Sequence, residues 1–248
     1  MRWMLILLSV SSWALSPARA QTAQQPKPAA RIYFDQAHGE ASPPAPMAEI
    51  GRRLGYTLDL ARDAATTESL KGSQLVYFRA PSGTFTESEK AAIVAYVNQG
   101  GSLLLVLDEE KRQSLAKTGV NDILAPFGMR LSGDTPRIAN TGAIAKAGEI
   151  NRADREVPYD GGREIFGGTP FAFQLDRNGN AAQPYAAYKK LDSGARIVVL
   201  AEGMASLFLG SPDGVRLHED PINPGNTKWW GKDSEAFMEE VFAWLLAH

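Results

Sequence analysis

The residues best suited to chemistry follow a short apolar run near the start of the sequence. The segment Arg31–Glu40 reads RIYFDQAHGE, in which Asp35, His38 and Glu40 come directly after that run. In an open α/β sheet, ligands bind just beyond the carboxyl ends of the strands. A histidine beside acids suits a general base, and imidazole together with carboxylates suits a cation. The same residues also suit a structural role, in which Asp35 caps a turn and His38 packs against the next loop.

Two further acids follow long apolar runs later in the sequence. Asp108 follows Leu103–Leu107 (LLLVL), and Glu202 follows Ala195–Ala201 (ARIVVLA). Continuous apolar runs of this length are typical of parallel strands that are buried on both faces. We therefore expect both acids at the same sheet edge as His38. The alternatives are a helix N-cap for Asp108 and an ordinary turn residue for Glu202.

A long segment without periodicity, Gly210–Lys232, is the other candidate for a binding site. Loops longer than ~12–15 residues in a compact domain are usually functional or disordered. Tryptophan faces beside amide and carboxylate groups suit a sugar ring, although the tryptophans could instead pin the loop to the core. The residues of this loop that we expect to bind a ligand are His218, Asn226, Trp229 and Trp230.

Strand and helix patterns alternate along the chain, which predicts a flavodoxin-like, doubly wound, mainly parallel α/β sheet. Residues 86–89 (TESE) fit a capping box at the start of a helix, and Ser114–Phe127 predicts another helix. Residues 136–191 are rich in turn residues, and the dipeptide Asn178-Gly179 is a type I′ hairpin signal. We expect this region to add antiparallel strands to the sheet.

The N-terminal residues have the features of a secretory signal. Met4–Leu15 is mostly apolar, and residues 18–20 read Ala-Arg-Ala, which fits the small-x-small cleavage rule. The apolar run is too short to span a bilayer, so no membrane span is expected after cleavage. The predicted organisation is a signal peptide over residues 1–20, a flexible leader over residues 21–30 and a single α/β domain over residues 31–248 in a periplasmic or secreted protein.

Composition excludes several classes of chemistry. The chain has no cysteine, which rules out disulfides, thiolate metal sites and a cysteine nucleophile. It has 26 basic and 28 acidic residues and no basic run, so we expect no nucleic-acid partner. The glycine pairs lack the G-x-G-x-x-G and Walker spacings, so we expect no cofactor. The spacing of Asp35, His38 and Glu40 matches no specific metal motif, so the sequence predicts no metal.

Three segments together resemble the class I glutamine amidotransferase-like superfamily. They are FDQAHGE, TESEKAAIVAYVNQGGSLLLVLDEE, and GARIVVLAEGMASLF followed by a terminal helix with FAWLL. The resemblance is to the non-catalytic branch, found in exported bacterial proteins and in the N-terminal domain of an intraflagellar transport protein. Catalytic members carry a cysteine on a sharp turn after a central strand, whereas the turn here reads Asp108-Glu109-Glu110-Lys111. The resemblance therefore implies the fold but no release of ammonia from glutamine.

These observations leave three functions open. The first is a non-catalytic domain that binds a carbohydrate or another small polar ligand. The second is a cysteine-independent hydrolase, in which His38 or Glu40 activates water and Asp108 or Glu202 is the partner acid. The third is a protein-interaction module of an envelope or transport complex, with an envelope protein as its partner.

Overall fold

One nine-stranded sheet forms the centre of the fold. The computed structural model describes residues 30–40, 42–43, 45–135, 142–159, 161–203 and 232–247, and the backbone of residues 217–219 and 227–229. The parallel strands of the sheet are β1 (Ala30–Asp35), β2 (Tyr56–Ala61), β3 (Ser73–Arg79), β4 (Ser102–Val106) and β11 (Arg196–Leu200). Its antiparallel strands are β6 (Ala143–Ala145), β7 (Arg155–Val157), β9 (Thr169–Leu175) and β10 (Ala181–Lys190).

The strand order is β2-β1-β3-β4-β11-β10-β9-β6-β7. The first five strands have the order of a flavodoxin-like sheet, and the four antiparallel strands continue it on one side. The predicted fold class is therefore confirmed, including the added antiparallel strands. Two further strand pairs lie outside this sheet, namely β5 (Arg130–Asp134) with β8 (Arg163–Phe166), and β12 (Leu217–Glu219) with β13 (Thr227–Trp229).

The central strands form because their residues are apolar on both faces. All five residues of β4 are buried, as expected for a parallel strand that is covered on both sides. On β3, Tyr77 and Phe78 point to opposite faces because side chains alternate along a strand. Tyr77 packs edge-on against Phe242, at 5.6 Å between ring centroids, and Phe78 packs against Phe85 at 5.0 Å. The sheet therefore has an aromatic core on each side.

Helices cover the two faces. They are α1 (Ala45–Arg53), α2 (Thr67–Leu70), α3 (Glu87–Asn98), α4 (Leu115–Thr118), α5 (Val120–Leu124) and α6 (Ser234–Leu246). The predicted capping box is present at α3, where Thr86 and Glu89 each accept a hydrogen bond from the backbone N–H of the other residue. Helix α6 lies on the Tyr77 face beside α1, while α3 lies with α2 and α5. Within the described residues, no helix combines the length and apolar character needed to cross a membrane.

Two local predictions were wrong. The helix expected over Ser114–Phe127 is divided into α4, α5 and a 3₁₀ turn, because Gly119 adopts φ +72° between the first two. The hairpin between β9 and β10 is present, but its turn is not type I′, which needs a positive φ at both central residues. Asn178 does not have one. Instead, the Asp176 carboxylate accepts the backbone N–H groups of Asn178 and Asn180, both at 2.8 Å, which stabilises a longer loop.

Candidate functional site

The end of β1 brings together the three residues that the sequence singled out there. One ligand-type atom from each of Asp35, His38 and Glu40 lies within 4.8 Å of the others, and all three residues are buried. Asp35 closes the turn after the strand, since its Oδ2 accepts the His38 backbone N–H at 3.3 Å. Glu40 Oε2 accepts the same N–H at 3.0 Å. The turn therefore folds around the His38 amide.

Both ring nitrogens of His38 face carboxylates. Nδ1 lies 2.7 Å from Asp35 Oδ2, and Nε2 lies 3.1 Å from Glu89 Oε1 on α3. The ring also stacks on Phe85, with 3.9 Å between centroids. Since His38 is only 5% exposed, its ring is enclosed, and neither nitrogen is open to solvent as a general base would need.

The backbone of this turn is joined to the loop after β3. The His38 carbonyl accepts the N–H groups of Ser82 and Gly83, both at 2.8 Å. Gly39 has φ +82°, and a Cβ at that position would come within 2.6 Å of Ser82 Oγ. The approach of the two loops therefore requires glycine. These contacts are the ones that the structural interpretation of His38 predicted.

The ionisation of this cluster reflects its burial. Burial and the neighbouring Asp35 raise the pKa of Glu40 to about 9. For His38, burial disfavours the charged ring, but Asp35 and Glu89 outweigh it and raise its pKa. Burial also opposes the charge of Glu89, but its bonds to Thr86 and its proximity to His38 lower its pKa. The protonation states of Glu40, His38 and Glu89 therefore depend on one another, and all three side chains are buried.

The end of β4 holds a second buried acid, Asp108. Its Oδ1 accepts the Glu109 N–H at 2.8 Å, and its Oδ2 accepts a bond from Arg112 at 3.0 Å. The Asp108 carbonyl accepts a bond of 2.7 Å from Arg163, which is fully buried. Asp108 is not the N-cap of the next helix, since Ser114 caps α4. Burial raises the pKa of Asp108 despite the opposing effects of the Glu109 N–H and Arg112.

The turn after β4 also differs from the sharp elbow of catalytic amidotransferases. Such an elbow holds its nucleophile on a strained strand-to-helix turn. None of residues 108–111 has a positive φ, whereas Ala80, after β3, has φ +56°. The turn therefore has neither the nucleophile nor the backbone conformation of the catalytic members.

Glu202 lies at the end of β11 and is 1% exposed. Burial, together with Glu202, Glu109 and Asp108, raises the pKa of Tyr159 to about 12. The Tyr159 ring packs against the Tyr185 ring, with 5.2 Å between the ring centroids. Because β11 pairs with β4, with Leu200 opposite Val106, Glu202 belongs to the same polar region as Asp108.

The acids of β1 and β4 form two groups and not one. Strand β3 lies between β1 and β4 in the sheet. With neighbouring strands ~4.8 Å apart, the ends of β1 and β4 are about 10 Å apart. The direct contacts of His38 stay within the first group and those of Asp108 within the second. The sequence predicted the common edge correctly, but the structure divides it.

The loop predicted to bind a ligand falls largely outside the described residues. Strands β12 and β13 pair so that His218 lies opposite Lys228 and Leu217 lies opposite Trp229. Asn226 and Trp230 lie outside the described residues. Their part in a ligand site therefore stays a prediction, as does that of His218 and Trp229.

The sequence did not reveal the roles of three residues in these groups. Glu89 was recognised only as part of a capping box, and its contact with His38 spans 51 positions of sequence. Phe85 and Arg163 showed no local pattern. Arg163 lies in the turn-rich region, and a buried charged residue is rare enough that sequence alone favours exposure.

A cavity of about 530 Å³ lies at the other edge of the sheet. Its lining includes Gln74 at the start of β3, Lys71 before it, Tyr96 on α3, and Gly101 before β4. It is therefore at the amino ends of the strands, away from His38 and Asp108.

Comparison with known proteins agrees with the resemblance seen in the sequence. The family model described as the IFT52 GIFT domain matches residues 32–139, which is less than half of the chain. No curated protein is significantly similar to the sequence.

Two solved structures show the same fold. The N-terminal domain of mmIFT52 is 19% identical, with 88% of this chain and 98% of that chain covered and a TM-score of 0.62. A beta-galactosidase from Rahnella sp. R3 is 14% identical, with 88% of this chain and 31% of that chain covered and a TM-score of 0.53. The resemblance to the non-catalytic amidotransferase-like branch is confirmed.

The family match corrects the predicted location. A periplasmic or secreted protein was expected, but the IFT52 GIFT domain is a domain of an intracellular transport protein. The expectation rested on the apolar stretch Met4–Leu15 and on the small residues Ala18 and Ala20 after it, and a short apolar run is not specific to export. Neither the family match nor the structural matches support a signal peptide or carbohydrate binding.

Proposed function

We propose that this chain is a non-catalytic amidotransferase-like domain that binds a protein partner within a transport complex. The observation that carries the proposal is the enclosure of His38. This histidine is the residue of the candidate site best suited to move protons near neutral pH, yet Asp35 and Glu89 hold both of its ring nitrogens. Similarity to the IFT52 GIFT domain supports a transport complex as the setting.

The surface of the described residues suits a mostly polar interface. Leu60, at 44% exposure, is the single exposed large hydrophobic residue among them. Non-obligate protein interfaces are about as apolar as the rest of the surface, so a partner does not require a large apolar patch. Leu60 lies on β2, the outermost parallel strand, and an edge strand can accept an extended segment of a partner.

Site-specific photo-crosslinking tests this function. A photoreactive phenylalanine analogue replaces Leu60 in the full chain, in its native cells, and crosslinked proteins are identified by mass spectrometry. We expect one defined partner, and purified partner should bind the wild-type chain and lose about tenfold or more in affinity to Leu60→Lys. The matched control places the analogue at Arg177, an exposed position in the loop between β9 and β10.

Three outcomes would contradict the proposal. One is the absence of a specific crosslink both at Leu60 and at a series of other exposed positions. Another is a crosslinked protein that does not bind the purified chain. The third is turnover of a substrate that is lost in His38→Asn.

A second candidate function is the binding of a carbohydrate or another small polar ligand. The pairing of β12 with β13 favours it, because it brings the backbone of His218 and Trp229 into one small hairpin. A ligand at 100 times its dissociation constant adds ~2.7 kcal/mol of stability. Thermal unfolding against a panel of sugars and uronic acids should then show a shift that Trp229→Ala removes, and a flat panel would exclude this function.

A hydrolase has less support than either. It would need His38 or Glu40 to reach water, whereas both are less than a tenth exposed. Asp108, its proposed partner acid, is held by the Glu109 N–H and Arg112.

A further inference from the structure

Two buried carboxylate oxygens at the end of β1 are left without a hydrogen-bond donor. They are Asp35 Oδ1 and Glu40 Oε1. A ligand-type atom of each side chain lies within 4.8 Å of one on the other, yet an ionised carboxylate can only accept. A buried pair of acceptors is costly unless something positive lies between them. The end of β1 therefore requires a proton or a cation.

The orientation of these two oxygens is fixed by their partner atoms. Glu40 Oε2 accepts the His38 backbone N–H at 3.0 Å. Asp35 Oδ2 accepts the same N–H at 3.3 Å and faces His38 Nδ1 at 2.7 Å. The two held oxygens converge on the His38 backbone N–H, and the second oxygen of each carboxylate is buried without a donor. His38 is the third residue of this cluster, and one ligand-type atom from each of the three residues lies within 4.8 Å of the others.

The far side of the His38 ring has the surroundings of a metal-bound histidine. A histidine that binds a metal through one nitrogen almost always donates its other N–H to a carboxylate, carbonyl or water, which fixes its tautomer. Here Nε2 lies 3.1 Å from Glu89 Oε1. Glu89 is itself held, since its Oε2 accepts the Thr86 N–H at 2.8 Å and the Thr86 hydroxyl at 2.7 Å. Phe85 stacks on the ring and fixes its plane.

We propose that Asp35, His38 and Glu40 bind a divalent transition-metal cation of the zinc class. The ligands are one carboxylate oxygen each from Asp35 and Glu40 together with Nδ1 of His38, which exchanges its bond to Asp35 Oδ2 for the cation. Imidazole and carboxylate ligands suit zinc and its neighbours, whereas calcium and magnesium prefer oxygen ligands alone. Two carboxylates balance the charge of the cation, and binding releases the protons of His38 Nδ1 and Glu40 to solvent. The cation would be structural, joining the turn after β1 to α3 through Glu89.

Metal content tests the site directly. The purified full chain is stripped with a chelator, reloaded with Zn²⁺ or Co²⁺, freed of excess metal, and analysed by elemental mass spectrometry. We expect about one metal per chain, visible absorption from bound Co²⁺, and a higher unfolding temperature on loading. Glu40→Gln keeps the size of the side chain but removes a ligand charge, and it should lose most of the bound metal.

Two further variants separate a ligand effect from general damage. Glu89→Gln leaves the three ligands in place and should weaken the metal about 10–100-fold, as expected for a group that orients a ligand. Glu49→Gln changes an exposed carboxylate that pairs with Arg52, and it should bind metal like the wild type. Near-UV circular dichroism of each stripped variant checks that it is folded.

The proposal would be overturned by substoichiometric metal in the wild-type chain after reloading. It would also be overturned if folded Glu40→Gln and Glu89→Gln both bound metal as tightly as the wild type. In the first case the two carboxyl groups share a proton and Zn²⁺ leaves the unfolding temperature unchanged, and in the second the metal is bound elsewhere on the chain. Neither result alters the proposed protein-binding function, whose crosslinking test is independent.

Discussion

The ends of β1 and β4 are alike in sequence but differ in how their acids are satisfied. Each end places a buried aspartate directly after a run of apolar residues. At β4, both Asp108 carboxylate oxygens have donors, one from a backbone N–H and one from Arg112. At β1, one oxygen each of Asp35 and Glu40 has none. Burial of an acid therefore does not by itself indicate a function, and the missing donor is the more informative observation.

The two ends also differ in their source of positive charge. Arg163 lies at the start of β8, which pairs with β5 outside the main sheet, and its side chain reaches the end of β4. It is 0% exposed. Its guanidinium donates to the carbonyls of Asp108 and Gln113 at 2.7 and 2.6 Å, and to Glu110 Oε2 at 2.9 Å. The end of β1 has the imidazole of His38 instead. Two changes, at Arg163 and at Phe85, test this difference, and a third at Glu240 gives a reference away from both ends.

Replacing Arg163 should be the most damaging. Arg163→Met keeps much of the volume but leaves buried carbonyls without donors and Glu110 without its cation. We expect a loss of roughly 3–5 kcal/mol in the free energy of unfolding, measured by urea denaturation. Arg52→Met is the matched control, because both Arg52 and its partner Glu49 are exposed and the change should cost under ~1 kcal/mol. Equal losses in the two variants would refute the anchoring role of Arg163.

The stack between Phe85 and His38 should have an intermediate effect. Phe85→Leu keeps an apolar side chain but removes the stacked ring and the edge-on contact with Phe78. We expect a cost of about 1–2 kcal/mol, from an aromatic contact and imperfect repacking. Phe166→Leu changes a half-buried ring that packs under Arg130, and it should cost less. A neutral Phe85→Leu would show that the turn after β1 holds its shape without the stack.

The ion pair between Glu240 and Arg155 lies away from both ends and should have the smallest effect and a clear pH dependence. Burial disfavours the charge of Glu240, but bonds from Arg155 and Asn151 outweigh it and lower its pKa. A carboxyl with a lowered folded pKa stabilises the fold above its unfolded pKa of ~4.3, and that stability is lost as the pH falls through the folded pKa.

Glu240→Gln should therefore cost about 1 kcal/mol at pH 7 and flatten the decline in stability below pH 5. Glu239→Gln is the control, since Glu239 is more exposed and pairs with Arg53 at the surface. Thermal unfolding from pH 3 to pH 7 measures both variants. A decline in Glu240→Gln as steep as in the wild type would place the acid-sensitive group elsewhere.

Sequence patterns predicted those parts of the fold that local physics determines. The capping box at Thr86 and the apolar run of β4 were correct because each depends on residues within a few positions. The prediction of one helix over residues 114–127 was wrong because it followed the apolar spacing and did not take Gly119 into account. The left-handed conformation of Gly119 separates α4 from α5. The hairpin between β9 and β10 was predicted correctly, but its turn type was wrong because the Asp176 carboxylate accepts the Asn178 N–H within the loop.

The candidate site was predicted less completely, since its decisive contacts are distant in sequence. Asp35, His38 and Glu40 were placed correctly at the end of a strand because they are local to it. No pattern could join Glu89 to His38, or Arg163 to Asp108, because folding alone brings these pairs together. The common sheet edge was predicted because Asp35, Asp108 and Glu202 each follow a run of apolar residues. The division of this edge into two groups depends on contacts between side chains, which the sequence does not show.

The contact between His38 and Glu89 gives the most direct test of the central claim that the end of β1 is closed by its own side chains. His38→Asn keeps a donor for Asp35 but is too short to reach Glu89, and Glu89→Ala removes the acceptor. A double-mutant cycle, measured by urea denaturation in chelator so that no cation contributes, gives the coupling energy. We expect a coupling energy of about 1–3 kcal/mol, the range for a buried hydrogen bond to a charged group. A coupling near zero would contradict it, because His38 would then be free to act on water or a ligand.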